Sequence, residues 1–341
     1  MGRVLRGFAS VAVLLLCAIP ARAETVARPV LQPFATFNQF QFLQIYGLPV
    51  FRSYEVLPEG TRSSDFAFDI TNHLDVGTDD PNEQFIVDGE LLHATLVFRQ
   101  GFGNDMEWAL EVPLLRHSGG FLDGPIDEFH DTFGFDRGRR ARTEDDQLLY
   151  HYERNGRTLF HMDDSAGGFG DIRVVLTKEL SNADGRGSSI SGLIKLPTGD
   201  PDKLTGSGGA DAAIWYTRGA QPRNGSRWSW LGSIGAIYTS KGDVLEELRR
   251  RGAGFGSLTL GWRWTDTLQI KGQLYAHSPL YKGSELDPLK EYAVLAVIGA
   301  GWQATPTMEL DFGLVEDLNA GASADVSLHF AIRRRIWGFG G

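Results

Sequence analysis

Ten side chains stand out by type and spacing: Glu107, Glu111, Arg173, Lys195, Arg263, Lys271, Glu309, Asp311, His329 and Arg333. Each lies on the polar phase of a stretch whose alternate phase is apolar, so each projects to the same side of an extended strand. Fixed charges of both signs in a confined space pair with one another and hold ionic or hydrogen-bonding solutes. They do not make a catalytic centre, which needs a nucleophile, a base and an orienting group within reach. His161, Asp163 and Asp164, and likewise Asp79, Asp80 and Glu83, lack EF-hand spacing and read as acidic loops, so neither a metal nor a cofactor is expected. Gly252, Gly254 and Gly256 have no strand-then-helix setting and are not a phosphate cradle.

The elements that must position these residues announce themselves by a period of two. Met106, Trp108, Leu110, Val112 and Leu114 alternate with Glu107, Ala109, Glu111 and Pro113. The pattern returns at Leu258–Trp264, Leu268–Ala276, Tyr292–Trp302, Met308–Leu314 and Val326–Ile332. Strands are expected near 64–74, 84–99, 104–115, 168–180, 187–197, 210–218, 227–239, 253–265, 266–278, 290–303, 306–317 and 322–333. A soluble β-sandwich also alternates. Here, however, the polar face carries whole rows of charged and amide groups, and tight joins alternate with long ones. Trp108, Trp228, Trp230, Trp262, Trp264 and Trp302 all fall near the tight-turn ends, as an interfacial girdle requires. The expectation is an all-β, transmembrane antiparallel β-barrel of about twelve strands, fourteen being the next even number that fits.

Residues 1–23 combine Arg3 and Arg6, an apolar stretch and Ala21-Arg22-Ala23, a secretory signal with cleavage after Ala23. Cys17 would leave with it, and no disulfide or thiolate site remains. Residues 24–63 then form a pre-barrel or lumen-entering segment and 64–341 the barrel. With 33 Lys and Arg against 43 Asp and Glu, a net charge of -10 excludes a basic nucleic-acid binder. Beyond residue 25 no apolar run approaches the length of a spanning helix. One long external insertion, 117–167, carries Ile126, Phe129 and Phe133 at helical spacing. Its Arg137, Arg139, Arg140 and Arg142 either bind lipopolysaccharide phosphates or balance Glu144, Asp145 and Asp146. Asp243 to Glu246 reads as a capping box opening a short helix. Lys195–Asp211 ends a strand with turn chemistry and is either an inward-folded constriction or a surface hairpin.

Asn224-Gly225-Ser226-Arg227-Trp228 resembles part of the active-site segment of outer-membrane phospholipases, but Pro222 and Arg223 stand where those enzymes place a histidine. A broader likeness rests on Asn38-Gln39, Tyr46-Gly47-Leu48-Pro49, Gly170-Asp171-Ile172-Arg173, Lys195–Asp200, Leu204–Gly208 and Asp211. Together these resemble the domain-of-unknown-function family 3187 of exported Gram-negative proteins. A similar Lys-x-Pro-x-Gly element occurs in barrels linked to aromatic-hydrocarbon uptake. The resemblance implies an outer-membrane barrel that meets lipid and lipopolysaccharide and is inserted by the barrel assembly machinery, with Phe330 or Phe339 as the aromatic that machinery reads. It implies no catalytic residue. The expected role is a narrow, solute-selective passage taking a small molecule. A structural or interaction barrel is the first alternative and a lipid-modifying enzyme the second. Arginine at outward Leu110 or Leu260 should then be damaging, and at inward Ala109 or Gly261 milder.

Overall fold

The computed structural model describes residues 30–77, 82–122, 124, 146–221, 226–319 and 326–336. The stretches 1–23, 126–142, 144–145 and 224–225, together with Asp79, Asp80, Pro222, Arg223 and Phe339, lie outside the described residues, and so do the readings placed on them. The alternating segments form β1 (Arg62–Gly77), β2 (Glu83–Phe102), β3 (Met106–Ser118), β4 (Leu149–Arg154), β5 (Arg157–Met162), β6 (Ala166–Phe169), β7 (Arg173–Ala183), β8 (Arg186–Lys195), β9 (Asp211–Ala220), β10 (Trp228–Thr239), β11 (Gly252–Arg263), β12 (Leu268–His277), β13 (Ala293–Thr305), β14 (Met308–Asp317) and β15 (Val326–Ile336). β1, β2, β3 and β7 through β15 pair in sequence order into an antiparallel ring. The ring closes where β1 meets β15, with Arg62 opposite Ile336 and Asp69 opposite His329. This is the expected twelve-strand barrel.

The turn chemistry explains which end is tight. Asn104 and Asp105 (φ 63° and 53°) and Asp184 and Gly185 (φ 53° and 67°) adopt the left-handed conformation that matches hairpin twist. The 117–167 insertion is less of a loop than expected. β4 continues the pairing of β2 beyond the point where β3 leaves it. β6 then precedes β7 along the same partner, β3. The wall is thus prolonged outward, because inward Tyr150 and Tyr152 find apolar partners and are fully buried. Near Asp243 the helix is a single 3-10 turn, Glu246–Leu248, whose cap Leu245 makes no side-chain bond. Burial of Val244, Leu245 and Leu248 sets that turn, and the capping box does not form.

Outward side chains are aliphatic in mid-strand, with Ile234 and Ile298 about as exposed as any in the barrel (70% and 68%). Trp108, Trp228, Trp230, Trp264 and Trp302 are exposed in a band near the tight turns. Trp262 lies 6.4 Å from Trp228 and 5.5 Å from Trp264, ring centre to ring centre. Such a belt suits a membrane interface. Among the described residues no helix is long and apolar enough to cross a membrane.

Residues 30–57 run through the interior without forming a strand. Phe34, Phe40, Phe42 and Tyr46 are fully buried there, so the apolar core lies between this segment and the inner wall. The segment leaves the barrel at Gly101, where a β-carbon would sit 2.1 Å from the Leu57 carbonyl oxygen. Glycine is the residue that permits this crossing.

Candidate functional site

The inward charges meet residues 30–57 in two networks. Near the long-loop end the centre is Lys195, fully buried on β8. Its ammonium lies 2.5 Å from Asp171, 2.7 Å from the Ser207 hydroxyl, 2.9 Å and 3.1 Å from the Gly209 and Ile45 carbonyls, and 3.2 Å from Asp211. Asp211 also accepts from the Gly47 backbone N–H at 2.8 Å. Asp171 accepts from the Gly199 and Ser207 backbone N–H groups, drawing the glycine-rich 196–210 loop inward. Arg249, from the loop after β10, stacks 4.8 Å over the Tyr46 ring and approaches Asp211 at 3.6 Å. Tyr281 donates to the Phe42 carbonyl at 2.7 Å, and burial pushes its hydroxyl well above the ordinary range, so it stays a neutral donor.

Near the tight-turn end Lys271 bonds Asp311 at 2.5 Å and the Gln32 carbonyl at 3.1 Å, and lies over the Phe34 ring. Arg333 pairs with Asp311 and Glu309 and donates to the Pro33 carbonyl at 2.7 Å. Arg99 grips Glu107, which accepts from the Leu57 N–H at 2.8 Å. Between the two networks Arg52 reaches Glu111 at 2.5 Å, and Arg173 lies 4.7 Å over the Phe37 ring and points at the Gln44, Tyr46 and Leu48 carbonyls. Histidines extend the pattern: His93 meets Gln39, His277 meets Asn38, and His329 meets Asp69. These contacts place buried charges against the carbonyl and amide groups of a segment that forms no strand.

All ten residues singled out by type and spacing lie on the inward phase of their strands; Arg263, opposite Gln269 at the end of β11, is half-buried at the rim and directed at the Ser226 carbonyl, outside both networks. Asp65, Asp69 and Arg99 share the inward phase of β1 and β2, so strand parity alone would have found them. Arg52 and Arg249 belong to non-alternating segments, and no local pattern marks them. Two small cavities flank Arg99 and Arg333. One of about 30 Å³ is bounded by Arg52, Asp65 and Glu111, the other of about 80 Å³ by Ser63, Glu309 and Arg335. The second is the more polar of the two, and each is large enough for water.

The resemblance-bearing residues Gly47, Asp171, Arg173, Lys195, Leu204, Ser207 and Asp211 all meet in or beside the Lys195 network. Phe330 lies on β15 against Phe312, ring centres 5.0 Å apart. Among solved structures, an outer-membrane channel of the COG4313 family from Pseudomonas putida F1 superposes with a TM-score of 0.54 at 12% identity, covering 83% of this chain and 98% of that one. The NanC porin gives a TM-score of 0.45 at 7% identity, covering 81% of this chain and 100% of its own. The first is a likeness of fold, that of an outer-membrane β-barrel. No curated protein matches the sequence. The profile of a family described as "Protein of unknown function (DUF3187)" matches residues 9–336.

Proposed function

The chain belongs to the DUF3187 family, and from that membership and the geometry of the lumen we propose that it is a narrow, solute-selective passage through the outer membrane, with residues 30–57 as its gate. The observation that carries this reading is the chemistry of the inner wall. A barrel that only needed to be filled would be stabilised as well or better by apolar side chains of similar volume, because desolvating charges costs several kcal/mol each. Instead, charges of both signs solvate the inserted segment, and in this reading its withdrawal would leave a bore lined by those charges beside apolar wall residues such as Val97, Trp215 and Phe255. Such a bore favours small ionic or hydrogen-bonding solutes. The protein acts in this reading as a conduit and not as an enzyme. Cleavage after Ala23, insertion by the barrel assembly machinery and contact with lipid and lipopolysaccharide belong to the same proposal.

Planar-bilayer recording tests it. Wild-type barrels should give small, intermittent currents, and a variant lacking residues 30–57 a large steady one. Unboiled migration on a detergent gel checks that the shortened barrel has folded, and Arg52→Ala, which frees one tether to Glu111, serves where it has not. Folded, inserted barrels that pass no current in any of these forms would leave the closed structural barrel as the correct reading. Orientation is tested separately. A cysteine at Arg157, whose side chain is 72% exposed, should react with an impermeant label on intact cells, and one at Thr265 in a tight turn should not.

A further inference from the structure

Outside the lumen, the β4–β5 hairpin carries a second arrangement of ionisable groups. His151 and His161 are directly opposed in the register, and their Nδ1 atoms are 3.2 Å apart, with the rings at 78°. Each ring turns its other nitrogen to a carboxylate: His151 Nε2 lies 3.9 Å from Glu153, and His161 Nε2 lies 3.5 Å from Asp163. Neighbouring Tyr150 and Tyr152 point inward and are fully buried, so the histidine pair is on the outer face of the prolonged wall.

The proton inventory of this pair is informative. A neutral imidazole has one N–H and one lone pair. If one neutral ring donated from Nδ1 to the other, its Nε2 lone pair would face a carboxylate, which is repulsive. Both rings are satisfied only when both Nε2 atoms carry hydrogen and a cation lies between the two Nδ1 atoms. That cation is either a shared proton or a metal ion. Two Zn–N bonds of about 2.0–2.1 Å at a tetrahedral angle place the nitrogens roughly 3.3 Å apart, the separation found here. A carboxylate on the far nitrogen is also the usual support of a metal-bound histidine, fixing its tautomer and raising its basicity.

We propose that His151 and His161 form a surface site for a borderline divalent cation of the zinc or copper class, with Glu153 and Asp163 orienting the rings. Among the described residues no three histidine or carboxylate groups converge on one point, so water completes the coordination, which the 47% exposure of His161 permits. On binding, both Nδ1 lone pairs go to the metal and any proton held between them leaves to solvent. Imidazole ligation excludes calcium and magnesium, which take oxygen donors.

Titration calorimetry on the detergent-solubilised full barrel, purified without a histidine tag, tests the proposal. Zinc chloride should bind one ion per chain, calcium chloride should give no heat, and the His151→Asn/His161→Asn double variant should lose the zinc signal. Asp163→Asn should weaken binding about tenfold, the usual effect of losing such a support. Because these side chains are on the outer surface of the hairpin, unboiled gel migration should be unchanged in every variant. Absence of zinc binding to the wild type, or binding that persists undiminished in the double variant, would overturn it.

Discussion

Lys195→Met should destabilise the barrel by about 3–5 kcal/mol, the usual consequence of removing one partner from a buried ionic group. The side chain has no exposed surface, and its loss leaves Asp171 with no cation among the described residues and Asp211 with only the more distant Arg249, at 3.6 Å. Methionine keeps most of the volume, so the effect is electrostatic and not a cavity. The measurement is the urea midpoint of the folded barrel in detergent or vesicles. Two controls locate the cause. Lys203→Met, at an exposed pair with Asp200, should leave the midpoint unchanged, since exposed pairs contribute little. Adding Asp171→Asn to Lys195→Met should recover much of the loss, because Asp211 keeps its Arg249 partner and the neutralised Asp171 no longer needs a cation. A Lys195→Met barrel as stable as wild type would mean that Lys195 is not the electrostatic centre of this network.

The second large effect is expected at Ile298, in mid-strand on the outer face of β13. Arginine there should cost about 2–4 kcal/mol, the penalty for a charge near the bilayer midplane. Leu260 and Leu110, which the sequence suggests for this test, are two residues from girdle tryptophans 262 and 108. Arginine at either can reach the interface and should cost less than at Ile298. The structure also revises the expectation for inward positions. A β-carbon on Gly261 would meet Leu31 at 2.7 Å, and Ser229 and Gln269 at 2.8 Å each. Gly261→Arg therefore overpacks the lumen against residues 30–57 and is not mild. Ala109 is 1% exposed, so the same holds there. In a barrel lacking residues 30–57, Gly261→Arg should become tolerable while Ile298→Arg stays damaging, as measured by the folded fraction on unboiled gels. Equal rescue of both would refute the face assignment.

What the sequence by itself determined is the wall. Side chains on a strand alternate strictly, so Glu107 and Trp108, or Lys271 and Gly272, are assigned to opposite faces by parity alone. The tryptophans near the tight turns follow from the same strand boundaries. Local chemistry of this kind is written residue by residue, and twelve strands, their order and the inward phase of the ten selected groups are legible from it.

The tertiary structure alone decided what those groups touch. Residues 30–57 have no period, so nothing local says that Phe34 covers Lys271, that the Pro33 carbonyl takes Arg333, or that Tyr46 lies beneath Arg249. These contacts span up to 300 residues of chain and exist only once the ring has closed around the segment. The inward fold of the 196–210 loop, which the sequence leaves open, is settled by Asp171 and His117, the latter bonding the Leu204 carbonyl from β3. The strands inside the 117–167 insertion depend on the free edge of β2 and on apolar partners for Tyr150 and Tyr152. Alternation specifies a surface, whereas occupancy of a lumen depends on which distant groups the closed barrel brings within hydrogen-bonding reach.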